Sequence, residues 1–346
     1  MSTQSTDTNG VATVGLGHRA RTRHAVLTAA LVAATLTASL TAGCTRHHPP
    51  DDARTPHRPS APTGAATLTS AAGSPLAVKI DNVPAARPQT GLGAADIVYA
   101  EQVEGGLSRL MAVYATRLPK AVGPVRSARE SDLELLRQFD EPTLAFSGAQ
   151  RALLPLIRRA PVHAESPDEA ADAYYRAPGR TAPHNLYVRP ARLLPTAPGR
   201  AALTTGFHYG PAPSGGTPET SRTVRYPAAR FTFTWSTQRG GWLVAMDGTP
   251  TTTTDGGRPA PATVVVQYVK IRSSRYHDAL GNRTPYTETT GSGKAEVLRD
   301  GRSFDATWSR PSAADGTAFT AFTAADGGRM NFAEGQVWVV FAAAAS

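Results

Sequence analysis

PLAVKIDNVPAARPQTGLGAADIVYAEQVEGGLSRLMAVYA, residues 75–115, holds apolar runs separated by turn-forming residues. Pro75–Ile80 (PLAVKI) ends in Asp81 and Asn82, the pattern of a strand breaking into a turn. Ala95–Val103 (ADIVYAEQV) and Leu107–Thr116 (LSRLMAVYAT) read as two further strands, and Gly105-Gly106 between them is a hairpin signal. Then the period changes. Ser127–Phe139 (SARESDLELLRQF) sets Leu133, Leu135, Leu136 and Phe139 among charges, which predicts an amphipathic helix starting after Gly123-Pro124 and capped by Ser127. Thr143–Ser147 reads as a buried strand, and Ala149–Arg159 and Pro167–Arg176 as helices. Alternation of this kind predicts a mixed α/β domain over residues 74–210.

Toward the C-terminus, residues 211–222 are rich in Pro, Gly, Ser and Thr and read as a linker. Beyond them the period is almost entirely two. Phe231, Phe233 and Trp235 alternate, and Trp242–Met246, Thr263–Ile271, Ala295–Leu298, Ser303–Trp308 and Gln336–Phe341 are strand-like. Asp-Gly pairs at 247–248, 255–256, 300–301, 315–316 and 326–327 mark turns. These features predict a smaller β-rich domain over residues 223–342, a meander or partly closed barrel. The fold class expected for the chain is α+β, a mixed α/β N-terminal domain followed by that β-rich one.

Toward the N-terminus, Arg19, Arg21, Arg23 and His24 precede an apolar stretch from Ala25 to Ala42, and the single cysteine, Cys44, follows the small residues Thr41, Ala42 and Gly43. A basic region, a short apolar region and small residues at a cut describe a secretory signal over residues 1–43, without the flanks of a membrane span. A cysteine at the cut resembles the bacterial lipobox, with Thr41 where leucine is usual and Leu40 one place further out. Acylation of Cys44, palmitate included, would anchor the chain to the cell membrane on its extracytoplasmic face; secretion with a free cysteine and an uncleaved anchor are the alternatives. An acylated Cys44 leaves no thiol for a disulfide, a nucleophile or a metal. Residues 44–73 have almost no large apolar side chain, so burial there does not offset ordering entropy, and they read as a disordered tether.

The net charge of +9 comes mainly from arginine, since Lys79, Lys120, Lys270 and Lys294 are the only lysines. In an envelope such a chain meets anionic lipid heads and wall polymers. No stretch interleaves basic and aromatic residues as a nucleic-acid platform does, so nucleic acid is not expected as a partner.

Ala121–Arg129 (AVGPVRSAR) is the sharpest chemical feature. Arg126 and Arg129, three apart at a helix start, would form with Ser127 a fork for a phosphate or carboxylate. The same residues also fit a scaffold in which both arginines pair with Glu101, Glu104 or Asp96. A second cluster, Tyr174–Tyr187 (YYRAPGRTAPHNLY), carries Arg176, Arg180, His184 and Asn185 in a loop. His184 fits an acid, a base or an anion donor there, or a hydrogen-bonding structural group. Asp81 and Asn82 at a strand end, and Glu101 with Glu104 beside the double glycine, complete the candidates. Residues three apart on a strand face opposite ways, which separates Glu101 from Glu104 unless a turn intervenes. No Walker loop, G-x-S-x-G elbow, H-E-x-x-H or EF-hand loop is present. His163, His208 and His277 are scattered, and neither a metal nor a cofactor is expected.

The chain resembles the YerB-like bacterial lipoproteins, a family without an established function. The resemblance is carried by residues 75–115, VGPVRSAR (122–129), Phe146-Ser147-Gly148, APHNLY (182–187), GSGKAEVLRDG (291–301), Trp308, Gly335 and Trp338. It implies an envelope-anchored protein with a mixed N-terminal domain and a smaller β-rich C-terminal one, and no catalytic residues. Low-complexity stretches at Thr251–Thr254 and Ala313–Ala325 depart from that pattern. The leading expectation is a lipid-anchored protein that binds an anionic wall polymer or peptide carboxylate through Arg126, Arg129, Arg180 and His184. The rivals are a wall glycan or peptide hydrolase or transferase using Glu101 or Glu104 with His184, and an assembly factor offering a sheet edge to a membrane enzyme.

Overall fold

The computed structural model of the chain describes residues 73–278, 281–312 and 318–345. The signal segment, Cys44, nearly all of the tether and the Asp315-Gly316 pair lie outside these residues. Residues 75–115 form strands β1 (Leu76–Asp81), β2 (Ile97–Gln102) and β3 (Ser108–Tyr114), with β3 antiparallel to both neighbours. Gly105 and Gly106 turn the β2–β3 hairpin at φ 68° and 70°.

The helix that follows, α1 (Glu130–Leu136), is shorter than the periodicity predicts. It is capped at Arg129, not Ser127: the Asp132 carboxylate accepts the Arg129 backbone N–H at 2.6 Å. Strand β4 (Thr143–Ala145), helix α2 (Leu154–Arg159) and strand β5 (His163–Glu165) form a parallel crossover unit, with β4 also parallel to β1. The helix expected over Pro167–Arg176 is absent. A single 3-10 turn at Ala171–Ala173 leads into β6 (Tyr174–Arg176), which pairs with β7 (Leu186–Val188). Tyr174 and Tyr175, both strand formers, outweigh the surrounding helical spacing because Tyr175 packs on Tyr187 across the pair at 5.7 Å.

After the short helix α3 (Pro190–Leu193) the chain is β in character. Strand β8 (Thr217–Pro218) precedes β9 (Ser221–Tyr226), β10 (Ala229–Ser236), β11 (Gly241–Met246) and β12 (Thr249–Pro250), and the last four form an antiparallel meander. Then come β13 (Thr263–Val269) and the hairpin β14 (Ile271–His277) with β15 (Arg283–Thr287). Strands β16 (Gly291–Arg299), β17 (Arg302–Arg310), β18 (Ala321–Ala324) and β19 (Val337–Ala343) complete the chain. Asp247-Gly248 and Asp300-Gly301 have positive φ at both residues, which fits the two-residue turns joining β11 to β12 and β16 to β17.

One large sheet runs in the order β18-β17-β16-β13-β19-β2-β3-β1-β4-β5, with β8 paired to β17. The last strand, β19, lies between β13 and β2 and is parallel to both. The runs TVVVQYV and VWVVFAA are apolar on both faces, as central parallel strands must be. On one face Val78, Val98, Leu110 and Trp338 pack under the β9–β12 meander, where the Trp338 ring meets Phe233 edge-on at 5.9 Å. On the other face Ile97, Tyr99, Met111 and Phe341 pack under α1 and α2 through Leu133, Leu136 and Ile157, and Tyr99 stacks on Phe341 at 5.9 Å.

Candidate functional site

Strand register builds the site. Asp81 pairs with Arg109, and Arg109 with Glu101, so the three form a polar row across β1, β3 and β2 on the face that carries α1. One pair inward, Lys79 faces Met111, which faces Tyr99, and the row becomes core.

Lys79 is fully buried and bonds Asp132 Oδ1 at 2.7 Å as well as Glu101 Oε1. Ser131 Oγ donates to the other Glu101 oxygen at 3.2 Å. Two carboxylates thus share one ammonium out of contact with water. Burial, reinforced by the Asp132 charge, pushes the Glu101 carboxyl up to about 7.

Asp81 and Arg109 of the polar row line a half-open cleft of about 780 Å³. Its floor carries Asp81, Glu104, Arg109, Arg126 and Arg129, and its walls come from Gln150 and Leu153 on one side and Tyr276 and Thr284 on the other. Arg129 is spent: its Nε and Nη2 donate to the two oxygens of Glu104 at 2.7 Å each, and Thr284 Oγ1 donates to Glu104 Oε1 at 2.6 Å. Burial opposes ionisation of Glu104, yet the Arg129 fork and charge, with the Thr284 hydroxyl, hold the carboxyl below its ordinary range. Arg126 is half-spent. Its Nε lies 3.0 Å from Asp81 Oδ2 but off the hydrogen-bonding line, and its guanidinium makes no hydrogen bond to another described residue.

Arg109 is 8% exposed and has no carboxylate within ion-pair distance among the described residues. Its Nη1 donates to the Ser127 carbonyl at 3.2 Å, and it faces the other two arginines. Burial, then the Arg129 and Arg126 charges, push this guanidinium down to about 10. Of these three arginines Arg109 is thus the one without an ion pair among the described residues; the Glu104 and Asp81 charges act on it from further off, and water scarcely reaches it.

Arg126 stands on an extended segment and Arg129 at the N-cap of α1, and both line the cleft. Arg126 N–H donates to the Lys79 carbonyl at 2.8 Å and Ala128 N–H to the Gly148 carbonyl at 3.0 Å, which pins residues 126–128 across the strand ends. The acidic first turn of α1, with Glu130 and Asp132, already occupies the helix end where an anion was expected. His184 reaches Asp81 from the β6–β7 loop, its Nδ1 at 2.8 Å from Oδ2, because Val125 N–H holds the Leu186 carbonyl at 2.7 Å and draws that loop over β1. Arg180 and Asn185 lie off the cleft: Arg180 donates to the Ala86 and Pro88 carbonyls, and Asn185 accepts from Arg176. Asn82 is likewise held, donating to Ser108 Oγ at 2.9 Å and accepting from Gln89 at 2.8 Å. The side chain of Ser127, also a lining residue, contacts Ser147 at 3.5 Å.

Sequence reasoning missed Lys79, Arg109, Asp132 and Gln150. Lys79 and Arg109 had a readable signal, since each is a lone charge inside an apolar strand and a buried charge demands a partner or a purpose. Gln150 had none.

The fold is a mostly β architecture with a mixed sheet, an N-terminal mixed part and a β-rich C-terminal part, carrying a cleft to which both contribute. Residues 62–208 match the family described as "Protein of unknown function (DUF3048) N-terminal domain", and residues 222–339 match its C-terminal domain. The chain belongs to this family. It is 37% identical over 114 residues to "Putative lipoprotein YerB" of Bacillus subtilis, a match that spans 33% of this chain and 34% of that protein. The crystal structure of YerB protein from Bacillus subtilis superposes with a TM-score of 0.63 at 21% identity, covering 78% of this chain and 90% of the other, which shows the shared fold.

Proposed function

We propose that the chain is an extracytoplasmic binding protein, anchored through lipid on Cys44, whose cleft holds the anionic group of a cell-envelope ligand on Arg109 and Arg126. The observation that carries this reading is buried Arg109, which has no ion pair among the described residues, beside an Arg126 guanidinium that makes no hydrogen bond to them. A buried cation without a close ion pair costs stability, and an incoming anion relieves that cost. The acid–base alternative gains one feature, the His184–Asp81 contact, but Glu101 and Glu104, the carboxylates it called on, are occupied by Lys79 and Arg129.

Binding is tested with acetate and dimethyl phosphate as probe anions, against chloride, on the full-length chain and on Arg109→Met. The proposal expects saturable one-to-one binding that Arg109→Met weakens by about tenfold or more while the fold is kept. Equal binding by both proteins, or none by either, contradicts it. For the anchor, Cys44→Ser is expected to move the protein from the membrane fraction to the soluble one; a protein still fully membrane-bound after the change rules out acylation as the attachment.

A further inference from the structure

We infer that the cleft selects a single carboxylate at the end of an amide-bearing chain, a peptide C-terminus, over a phosphate polymer. This rests on the anion reading above and narrows it.

Asp81 and Glu104 ion-pair with Arg126 and Arg129, which leaves Arg109 as the floor guanidinium without an ion pair, a place for one further negative charge. A carboxylate brings one; a phosphomonoester brings close to two and leaves the second without a partner. A phosphodiester unit also brings one, but in a polymer the next charges follow along the chain. Beyond the floor the lining mixes Glu130 and Asp278 with Arg151 and His277, so no run of cationic side chains follows the charges of such a polymer among the described lining residues. A neutral chain behind the carboxylate needs no such run.

Val103, Leu107 and Leu153 offer apolar contact beside the arginines, room for a small aliphatic side chain next to the anion. Gln150 Oε1 lies buried on the wall with no hydrogen-bond partner among the described residues. A side-chain amide oxygen without a donor on the wall of the cleft matches a backbone N–H a short distance from a terminal carboxylate. The planar forks of Arg109 and Arg126 suit the two oxygens of that carboxylate.

The test uses the full-length chain with defined probes: N-acetyl-trialanine with a free carboxylate, the same peptide as its C-terminal amide, and glycerophosphoglycerol. Titration calorimetry is expected to show the free acid binding at least about tenfold more tightly than either other probe. Gln150→Leu, on the cleft wall and outside the strand core, is expected to weaken the free acid severalfold and to leave acetate unchanged. Tighter binding of glycerophosphoglycerol than of the peptide, or equal binding of acid and amide, overturns the inference while the anion cleft stands. Failure of acetate, dimethyl phosphate and all three probes to bind overturns both.

Discussion

At the scale of single residues, the three floor arginines have unlike roles although two of them share one motif. Arg129 is a structural fork: removing it strands Glu104 at 8% exposure, so Arg129→Met is expected to lower stability by about 2–3 kcal/mol, read from the urea midpoint. Arg109 is the reverse case. It is buried without an ion pair, and Arg109→Met is expected to raise stability by about 1–2 kcal/mol while binding weakens by about tenfold or more. A fall in stability for both variants would make Arg109 a scaffold residue. Glu101 sets a pH dependence. Its carboxyl is pushed up to about 7 in the folded chain from an ordinary 4.5, so the folded state holds a proton the unfolded state has released between those values. The stability this contributes is full below about 4.5 and is lost as pH rises through about 7. Glu101→Gln is expected to flatten that fall, leaving Lys79 paired with Asp132 alone; an unchanged pH profile by denaturant titration would show that Glu101 is already ionised in the fold.

At the scale of elements, the hairpin between β2 and β3 places Glu104 and therefore orients Arg129. Gly105 and Gly106 share a positive φ but not their surroundings. A Cβ on Gly105 meets nothing nearer than 4.0 Å, whereas on Gly106 it comes within 2.6 Å of Pro227 and 3.1 Å of the Ala228 nitrogen. Gly105→Ala is expected to cost about 1 kcal/mol from the backbone alone, and Gly106→Ala about 2–3 kcal/mol, because it also pushes the meander off the sheet. Equal costs would mean that the β9 end does not bear on the turn. The hairpin, the β1 turn and the Asp-Gly turns at 247–248 and 300–301 were legible because each rests on local chemistry. The Pro167–Arg176 helix was misread because its apolar spacing suits a helix while its two tyrosines gain more from pairing across β6 and β7, a contact ten or more residues away in the chain.

At the scale of the whole molecule, β19 decides the architecture. It joins strands from the two family regions by parallel pairing, which no adjacent turn announces; the continuous valine runs of β13 and β19 carried the only sign, that of strands buried on both faces. Likewise the cleft wall contributed by Tyr276 and Thr284 was invisible, since nothing local brings β14 and β15 to the end of β3. Deleting residues 337–346 should therefore unfold the chain on both sides of the gap and not merely fray one end. Loss of near-UV circular dichroism and of a cooperative denaturant transition is expected; a truncated protein that keeps a sharp transition would show that β1–β5 stand without it.

The most direct check of the charge balance is an NMR titration of the arginine Nε–Hε resonances with N-acetyl-trialanine. Arg109 and Arg126 are expected to shift along saturable curves with a common midpoint, while Arg129, held by Glu104, stays in place. Movement of Arg129 with Arg109 silent, or no saturable movement of any of the three, would contradict the assignment of the floor as an anion site.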